Sequence, residues 1–356
     1  MQQMRFWFVS LLAGLGFCGP VLAMDCPSAS FYEGLDNIEI TAEPMQPHKD
    51  GFGSLQFRSL LMLSSEKERF GGISAIDVFC DDQFVAVTDH GNLLFLDFDE
   101  DESGQMSLAP IVRMTPLHDA NGTVIARKNG GRKSDAESID WNGKNLLVGF
   151  EQHHRILCFD LSKHAANVRG HLVFKDPLGD GVRNDGMEAL TRTTSSKIVV
   201  GLERNEDGFA PLAIGKTRHD LDFADHQLPL RGHTRTTGFD ILPANDNHPQ
   251  ILFSVHRDWD HEVSKKNTIR IARTELLTGP DGAVTLGETV FLAEFHQAAQ
   301  DKVSTNIEGI AARQLENGDV RLVLVTDNNF SRNGSQATLL LSLDVPADLL
   351  VAAPAE

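Results

Sequence analysis

The chain has 356 residues, of which 41% are hydrophobic and 23% are charged, and its formal net charge is −18 at pH 7. This length and composition are those of a folded globular protein, which excludes a disordered chain and a membrane protein with several spans. The excess of acidic residues disfavours nucleic acid as a partner, because a phosphate-binding surface needs a basic patch.

The N-terminal segment has the pattern of a secretory signal peptide. A positive charge at Arg5 precedes an apolar run from Phe6 to Phe17, and a small residue, Ala23, stands where a signal peptidase would cleave. The apolar run is shorter than the about 20 residues that a membrane-spanning helix needs. We therefore expect residues 1–23 to be removed, no membrane span to remain, and the mature protein to be periplasmic or secreted.

Three cysteines lie beyond the predicted cleavage site, namely Cys26, Cys80 and Cys158. In an oxidising compartment two of them can form a disulfide. Cys26 and Cys80 lie near predicted strand ends, whereas Cys158 lies inside a predicted strand. The pattern therefore favours a disulfide between Cys26 and Cys80, with the other pairings left open.

Five similar segments follow one another along the chain. Each has a turn and a short apolar strand, then a second apolar run that ends in polar residues, then a third apolar strand. The first strands read GGISAIDV, DAESIDWNG, DGMEALTRT, TTGFDILPA and TNIEGIAAR. Aligning them on Ile76, Ile139, Leu190, Ile241 and Ile310 gives spacings of 63, 51, 51 and 69 residues. Repeats of this length, each with three or four strands, are typical of a β-propeller.

The sequence thus predicts an all-β fold, a single β-propeller domain of five or six blades over residues 24–356. A predicted strand over Leu55–Leu63 precedes the first complete unit, and the last unit stops soon after its third strand. We therefore expect this N-terminal strand to complete the last blade and close the ring. A sixth blade is left open in residues 25–70, 97–134 or 242–303. A pair of β-sandwiches is the alternative fold, which the steady repeat disfavours.

One segment departs from the strand pattern. Residues Leu292–Val303 have apolar residues at a spacing that favours a helix. We expect this helix to be an insertion in the propeller.

Equivalent positions in successive blades of a propeller lie on a ring around its axis. The residues two positions before the aligned apolar ones are Ser74, Glu137, Glu188, Phe239 and Glu308. The residues that end the second strands include Asp89, Glu151, Glu203 and Asp327. We therefore expect several carboxylates to meet near the axis at two levels.

Carboxylates that lie close together need protons, basic partners or a cation, and a site of oxygen donors suits Ca²⁺, with Mg²⁺ as the second choice. We predict a metal site whose ligands are Glu137, Glu188, Glu308, Asp89 and Asp327. The alternative role for these acids is to cap turns and to pair with arginines between blades.

Basic side chains follow the second strands of the third and fourth units. Arg204, His256 and Arg257 are candidates for contacting an anion, because a planar guanidinium binds a phosphate or carboxylate at two points. Ion pairing with the neighbouring acids is the alternative. We predict a catalytic group of Glu137, Glu188 and Glu308, in which Arg204 or His256 steadies an anionic transition state.

The phrases GGISAI, DAESID, GMEAL and NIEGIA, together with FVAVTDHG, resemble those of exported bacterial phytase-like proteins, which are described as having esterase-like activity. The resemblance covers roughly residues 55–345. It implies a β-propeller whose acidic central face handles a phosphate or carboxylate ester. Carried over by position, it points to Glu137, Glu188 and Glu308 first, and then to Asp89 and Asp327.

Two functions of different kinds remain. The first is an exported, divalent-metal-dependent hydrolase that acts as a monomer on a small anionic phosphate or carboxylate ester. The alternative is a non-catalytic periplasmic propeller that binds a glycan, a peptide or an envelope partner and holds a structural ion. Loss of ester cleavage in a chelator would favour the first.

Overall fold

The structure is a computed structural model, and it describes residues 26–125, 133–175, 186–217, 220–258, 267–300, 305–331 and 336–351. The predicted signal peptide over residues 1–23 lies outside these residues. Two short 3₁₀ helices occupy Ala29–Tyr32 and Ala347–Leu349. Among the residues described, no helix is long and apolar enough to cross a membrane.

The strands, in chain order, are β1 (Asp36–Glu39), β2 (Thr41–Pro44), β3 (Gln56–Ser64), β4 (Ile73–Cys80), β5 (Gln83–Thr88), β6 (Asn92–Glu100), β7 (Met106–Pro116), β8 (His118–Asp119), β9 (Ala136–Trp141), β10 (Asn145–Phe150), β11 (Arg155–Asp160), β12 (Arg169–Lys175), β13 (Ala189–Arg192), β14 (Ile198–Gly201), β15 (Phe209–Gly215), β16 (His226–Pro229), β17 (Arg235–Leu242), β18 (Gln250–Asp258), β19 (Thr268–Thr278), β20 (Val284–Phe295), β21 (Ile307–Gln314), β22 (Val320–Thr326) and β23 (Thr338–Val345).

These strands form five sheets, which are the blades of a propeller. From the axis outward, the strand orders are β4-β5-β6-β7-β1, β9-β10-β11-β12-β8, β13-β14-β15-β16, β17-β18-β19-β20 and β21-β22-β23-β3-β2. The innermost strands β4, β9, β13, β17 and β21 pack against one another in that cyclic order. The prediction of an all-β propeller is confirmed, with five blades.

The burial of the strands follows their position in a blade. The second strands β5 and β22 are buried at every residue, because each blade packs against a neighbour on both faces. They accordingly read as unbroken apolar runs such as FVAV and LVLV. The outer strands β7 and β20 mix buried with exposed residues. Burial on both faces therefore explains why the second strands gave the clearest signal in the sequence.

The fifth blade combines strands from both ends of the described chain. β3 pairs antiparallel with β23, with Leu61 opposite Leu340 and Leu60 opposite Leu341. β2 then pairs with β3 at the outside of the same sheet. The strand predicted over Leu55–Leu63 is therefore present and lies next to the last strand of the chain.

The structure differs from the sequence-based expectations for the helix insertion and for a possible sixth blade. The predicted helix over Leu292–Val303 is wrong, because β20 continues to Phe295 and pairs with β19 up to that residue; residues 301–304 lie outside the described part. The described strands in the stretches left open for a sixth blade all belong to the five sheets, among them β1, β2 and β3 in the first stretch, β7 in the second, and β19 and β20 in the third.

A disulfide joins Cys26 and Cys80, whose Cα atoms are 5.2 Å apart. The favoured pairing is confirmed, and Cys158 has a free thiol in β11. The crosslink ties the segment before the first 3₁₀ helix to the end of β4. It therefore fixes the start of the described chain to the innermost strand of the first blade.

Three aspartates link neighbouring blades, and we call them the aspartate clasps; Asp140 is buried, and Asp77 and Asp240 are partly buried. Each lies on an innermost strand and accepts a hydrogen bond from a backbone N–H on the innermost strand of the next blade. The pairs are Asp77 with Trp141, Asp140 with Arg192, and Asp240 with Ala312, each at 2.6 Å. Burial, followed by the nearby clasps, raises the pKa of Asp77, and burial raises the pKa of Asp240 to about 7.

An ion-pair network joins the fifth blade to the first. Arg321 on β22 pairs with Asp344 on β23 and with Glu100 on β6. Arg58 on β3 also pairs with Asp344, at 2.6 Å, and Arg313 on β21 pairs with Glu100, at 2.6 Å. The network thereby connects β3, β22 and β23 with the neighbouring blade.

Candidate active site

The first two strands of each blade meet at one end of the propeller, which we call the acid face. The N–H group just after the second strand donates to a carbonyl just before the first strand. These bonds run from Asp89 to Gly72 (3.0 Å), from Glu151 to Asp135 (2.7 Å), from Glu203 to Gly186 (3.0 Å) and from Asp327 to Asn306 (2.9 Å). In the fourth blade, Arg257 stands opposite Arg235 in the same place. The five equivalent residues that result form the outer ring: Asp89, Glu151, Glu203, Arg257 and Asp327.

A second set of equivalent residues lies deeper along the first strands. Two positions after the carbonyls just described stand Ser74, Glu137, Glu188, Thr237 and Glu308, which form the inner ring. All five are buried. The sequence-predicted glutamates Glu137, Glu188 and Glu308 are therefore brought to one level of the innermost strands.

The member of the inner ring from the fourth blade differs from the one expected. The alignment on Ile241 placed Phe239 there, but Gly238 pairs with Val255, just as Gly309 pairs with Val325 in the fifth blade. Thr237 is therefore the counterpart of Glu308. Phe239 and Ile241 are both apolar and two residues apart, so they lie on the same face of the strand and a period-two pattern cannot separate them.

An apolar layer lies directly below the inner ring. It consists of Ile76, Ile139, Leu190, Phe239 and Ile310, all of them buried. Together with the three glutamates, these side chains line a narrow cavity of about 10 Å³. The glutamates therefore stand on an apolar floor, where burial disfavours their charged form.

Arg257 is the cation at the centre of the acid face. Its Nη1 lies 2.8 Å from Oε1 of Glu308, and its Nη2 lies 3.1 Å from Oε1 of Glu203. Nη1 also donates to Asn306, whose Nδ2 donates to the same Glu308 oxygen at 2.9 Å. The guanidinium thereby joins one glutamate of the inner ring to one of the outer ring.

The carboxyl groups of both rings influence one another strongly. Burial, followed by the charges of Glu188 and Glu308, raises the pKa of Glu137 well above its ordinary value. Burial, then Glu203 and Glu151, does the same for the pKa of Glu188. The site therefore carries more negative charge than it can hold without protons or a cation.

The pKa shifts of the groups near Arg257 have the same main cause. Burial, then the charge of Asp327, raises the pKa of Glu308 to about 8, although Arg257 acts against this. Burial, then Asp89, raises the pKa of Asp327 to about 7. Burial lowers the pKa of Arg257, but the neighbouring carboxylates outweigh it and raise the pKa overall. Arg257 therefore stays charged.

Two of the predicted catalytic residues lie apart from these contacts. His256 precedes Arg257 on β18, so its side chain points to the opposite face of the strand. It is fully buried, and its Nε2 lies 2.7 Å from Oγ of Ser254. Burial, then the charge of Arg270, lowers its pKa to about 3. Arg204 is directed to Glu206, with 4.0 Å between the charged atoms.

The described carboxylates include two sets of three whose ligand oxygens lie within 4.8 Å of one another. The sets are Asp135, Glu137 and Glu151, and Glu151, Glu188 and Glu203. This spacing and the all-oxygen donors fit a Ca²⁺ or Mg²⁺ ion. Of the predicted ligands, Glu137 and Glu188 belong to these sets, whereas Glu308 pairs with Arg257, and Asp89 and Asp327 lie on the other side of the outer ring.

Sequence reasoning did not rank all residues of the site correctly. It missed Asp135, although this residue is two positions before Glu137 and so lies on the same side of the strand. It noted Glu151, Glu203 and Arg257 but did not include them in the predicted metal site or catalytic group. Close packing around Gly186 also went unseen: a Cβ there would lie 2.3 Å from Cγ of Glu151, so only glycine fits.

Several solved structures are similar to this chain at low sequence identity. The major allergen Mala s 1 of Malassezia sympodialis is 13% identical, with a TM-score of 0.39, over 87% of this chain and 96% of that one. The Cps50 (Swd1) β-propeller domain of Myceliophteria thermophila is 9% identical, with a TM-score of 0.37, over 87% and 100%. The WD40 β-propeller domain of Doa1 is 11% identical, with a TM-score of 0.33, over 83% and 99%.

No curated protein matches the sequence of this chain. A family model does match it, over residues 68–330, which is well over half of its length. The matched region runs from the segment before β4 to the turn after β22, and so includes both carboxylate rings. The chain therefore belongs to the phytase-like family described as having the esterase-like activity of phytase.

Proposed function

We propose that the protein is a divalent-cation-dependent hydrolase of small phosphate or carboxylate esters, with its active site at the acid face. Membership of a family described by an esterase-like activity supports hydrolysis. The observation that carries the proposal is the convergence of the two carboxylate rings above an apolar floor, with Arg257 between them. Such a group of coupled, buried carboxyls is characteristic of catalytic sites.

The cation would be held where two sets of carboxylates meet at Glu151, with Asp135 and Glu137 in one set and Glu188 and Glu203 in the other. Within each set the ligand oxygens lie within 4.8 Å of one another. We expect Ca²⁺ ahead of Mg²⁺, because carboxylates alone, held on five different strands or turns, suit its larger and more flexible shell. When bound, such a cation polarises the ester oxygen and makes a water molecule more acidic.

The chain's own residues then have separate tasks. Arg257 fixes Glu308 and Glu203 in position and offsets part of the negative charge. Glu308, whose pKa is raised to about 8, is suited to give a proton to the leaving oxygen, because its carboxyl holds that proton at neutral pH. We assign to Arg257 the electrostatic role that the sequence suggested for Arg204 and His256.

We also propose that the protein is exported and works as a monomer in the periplasm or outside the cell, with residues 24–356 as one domain. The disulfide between Cys26 and Cys80 supports this location, since such crosslinks persist in oxidising compartments. In the same proposal, the pairing of β3 with β23 closes the propeller in solution.

The test combines cation binding with an ester screen on the mature chain. Thermal unfolding is measured in EDTA and then with Ca²⁺ or Mg²⁺, and phosphate and carboxylate esters are assayed under the same conditions. We expect Ca²⁺ at about 100 times its dissociation constant to add about 2.7 kcal/mol of stability. Glu188→Gln should abolish both this gain and ester cleavage, whereas Glu43→Gln, on the exposed strand β2, should change neither.

Hydrolysis that persists in EDTA and in the Glu188→Gln variant would overturn the proposed site. Stabilisation by Ca²⁺ without cleavage of any ester would overturn catalysis and favour the non-catalytic propeller with a structural ion.

A further inference from the structure

A second, much larger cavity lies on the acid face over the fifth blade. Its volume is about 400 Å³. Of the fourteen described residues that line it, five are apolar, namely Met62, Leu63, Phe70, Phe330 and Ala337. The other nine are polar or charged, Lys67 and Asn328 among them. A cavity of this size with a mixed lining is typical of sites for small organic molecules.

The topology places this cavity beside the carboxylate rings. Its walls come from the end of β3, the segment that leads into β4, the turn after β22 and the start of β23. All of these lie at the end of the fifth blade where Asp327 of the outer ring is found. Asp327 is followed directly by the turn Asn328–Phe330, which lines the cavity. The cavity and the outer ring therefore share this turn.

The side chain of Phe330 forms the partition between the two. Its ring stacks on His90, with 3.7 Å between centroids and 11° between planes, and His90 directly follows Asp89 of the outer ring. A Cβ on Gly72 would lie 2.1 Å from Cε2 of Phe330 and 2.4 Å from Oδ1 of Asp89. Phe330 thus reaches the outer ring on one side and lines the large cavity on the other.

The turn holds Phe330 in a conformation that non-glycine residues seldom adopt. Asn329 and Phe330 have φ angles of 47° and 49°, in the left-handed region. Oδ1 of Asn328 accepts the N–H of Gly72 at 2.8 Å and that of Phe330 at 3.1 Å, and Oδ1 of Asp327 accepts the N–H of Asn329 at 2.7 Å. Two successive residues in the left-handed region, one of them bulky, strain the backbone, and such strained backbone conformations cluster at functional sites.

We propose that the large cavity is the subsite for the apolar part of a carboxylic ester, an alkyl chain or an aromatic ring, and that Phe330 positions that part beside the acid face. This inference rests on the proposed hydrolase function and names its substrate class. The ester group would lie at the outer ring, and its apolar part would extend past Phe330 towards Met62 and Phe70. Phe330 is a specificity-determining residue in this arrangement.

The first experiment compares two esters with the same leaving group, p-nitrophenyl hexanoate and p-nitrophenyl acetate, on the full mature chain with Ca²⁺. We expect Phe330→Ala to reduce the preference for the hexanoate, as the ratio of the two kcat/KM values, about tenfold. Met62→Trp should reduce it as well by filling the cavity, and it provides a second variant if the first does not fold. Phe209→Ala, an exposed phenylalanine on β15, is the matched control and should leave the ratio unchanged.

The second experiment separates the subsite from catalysis. Binding of hexanamide, an uncharged probe, is measured by calorimetry in the Glu188→Gln variant with and without Phe330→Ala. Binding that weakens about tenfold on loss of Phe330 supports the subsite even if no ester is cleaved, in which case only the hydrolase proposal fails. Equal binding in the two proteins, or an unchanged hexanoate-to-acetate ratio in both cavity variants, would overturn the subsite.

Discussion

Two groups of acids lie along the same central strands, and they differ in what surrounds them. Glu137 and Asp140 are both on β9, three residues apart. Asp140 accepts a backbone N–H of the next blade at 2.6 Å and pairs with the side chain of Arg192. Glu137 faces other carboxylates instead, and Glu188 and Glu308 are the charges that most raise its pKa.

The difference separates a structural use of buried acids from a functional one. An aspartate clasp finds its hydrogen-bond donors within the fold, so its burial contributes to the joining of blades. Glu137 and Glu188 of the inner ring meet like charges above an apolar floor, which is destabilising unless a proton or a cation is present. Three predictions test this contrast and a fourth tests the turn beside the outer ring; they are given from the largest expected effect to the smallest.

Loss of a clasp should strongly destabilise the fold. Asp140→Ala leaves the buried guanidinium and backbone N–H of Arg192 without their carboxylate, and breaking a buried pair in this way costs about 3–5 kcal/mol. Urea unfolding measures this loss. Asp348→Ala, at an exposed aspartate, is the control. A loss below about 1 kcal/mol, the size of a surface ion pair, would mean that the clasp is not structural.

Stability should fall as the pH rises through the neutral range. The folded protein holds protons on Asp240, with a pKa of about 7, and on Glu308, with a pKa of about 8, more tightly than the unfolded chain does. Their stabilising contribution is therefore complete below the ordinary carboxyl pKa and is lost as the pH passes these values. Unfolding free energies between about pH 5 and pH 9 measure the slope.

Variants assign that slope to the two groups. Asp240→Asn and Glu308→Gln should each remove a part of the slope. Added Ca²⁺ should reduce the part that belongs to Glu308 and leave the part that belongs to Asp240 unchanged. A stability that is constant or that rises across this range would contradict the raised pKa values.

Removal of one charge from the inner ring should stabilise the protein when no cation is present. In EDTA at a pH near 8, Glu188→Gln replaces a carboxyl that burial and like charges disfavour, and we expect a gain of at least about 1 kcal/mol in unfolding free energy. With Ca²⁺ the wild type should become the more stable of the two proteins, because it gains an interaction with the cation that Glu188→Gln lacks. A loss of stability of Glu188→Gln in EDTA would mean that Glu188 has a structural role, like the aspartate clasps.

The smallest effect is expected at the strained turn next to Asp327. Asn329 has a φ of 47°, and its N–H donates to Asp327, which glycine would preserve. Asn329→Gly should therefore raise the unfolding free energy by about 0.5–1 kcal/mol. Replacing another residue type by glycine in this conformation would give a larger gain, because asparagine tolerates the left-handed region. A measured decrease would show that the asparagine side chain itself holds the turn.

The sequence was informative where burial imposes a pattern. The second strands are buried on both faces, so their apolar runs stood out and allowed the blades to be counted as five with one possible addition. The glutamates Glu137, Glu188 and Glu308 followed from that count because they share one offset within the repeat. The Cys26–Cys80 pairing could be chosen from the predicted strand ends.

Other features depend on details that a pattern cannot carry. The place of Thr237 in the inner ring depends on strand register, and two apolar residues on one face of β17 left that register open. Which of the two neighbours His256 and Arg257 points towards the glutamates also depends on the register of β18, because adjacent side chains on a strand point to opposite faces. The helix expected from Leu292 did not form because pairing with β19 satisfies the backbone of that segment to Phe295. The turn at Phe330 depends on contacts with Gly72, which is distant in the sequence.

The pairing of β3 with β23 also has a consequence for the time course of biosynthesis. Arg58 and Asp344, which bond across this pair, are 286 residues apart in the chain. The strand made near the start must therefore wait for the one made near the end, and contacts this distant are slow to form. During that interval β3 offers the backbone groups that later pair with β23 to other chains, so aggregation competes with folding until β23 has been synthesised.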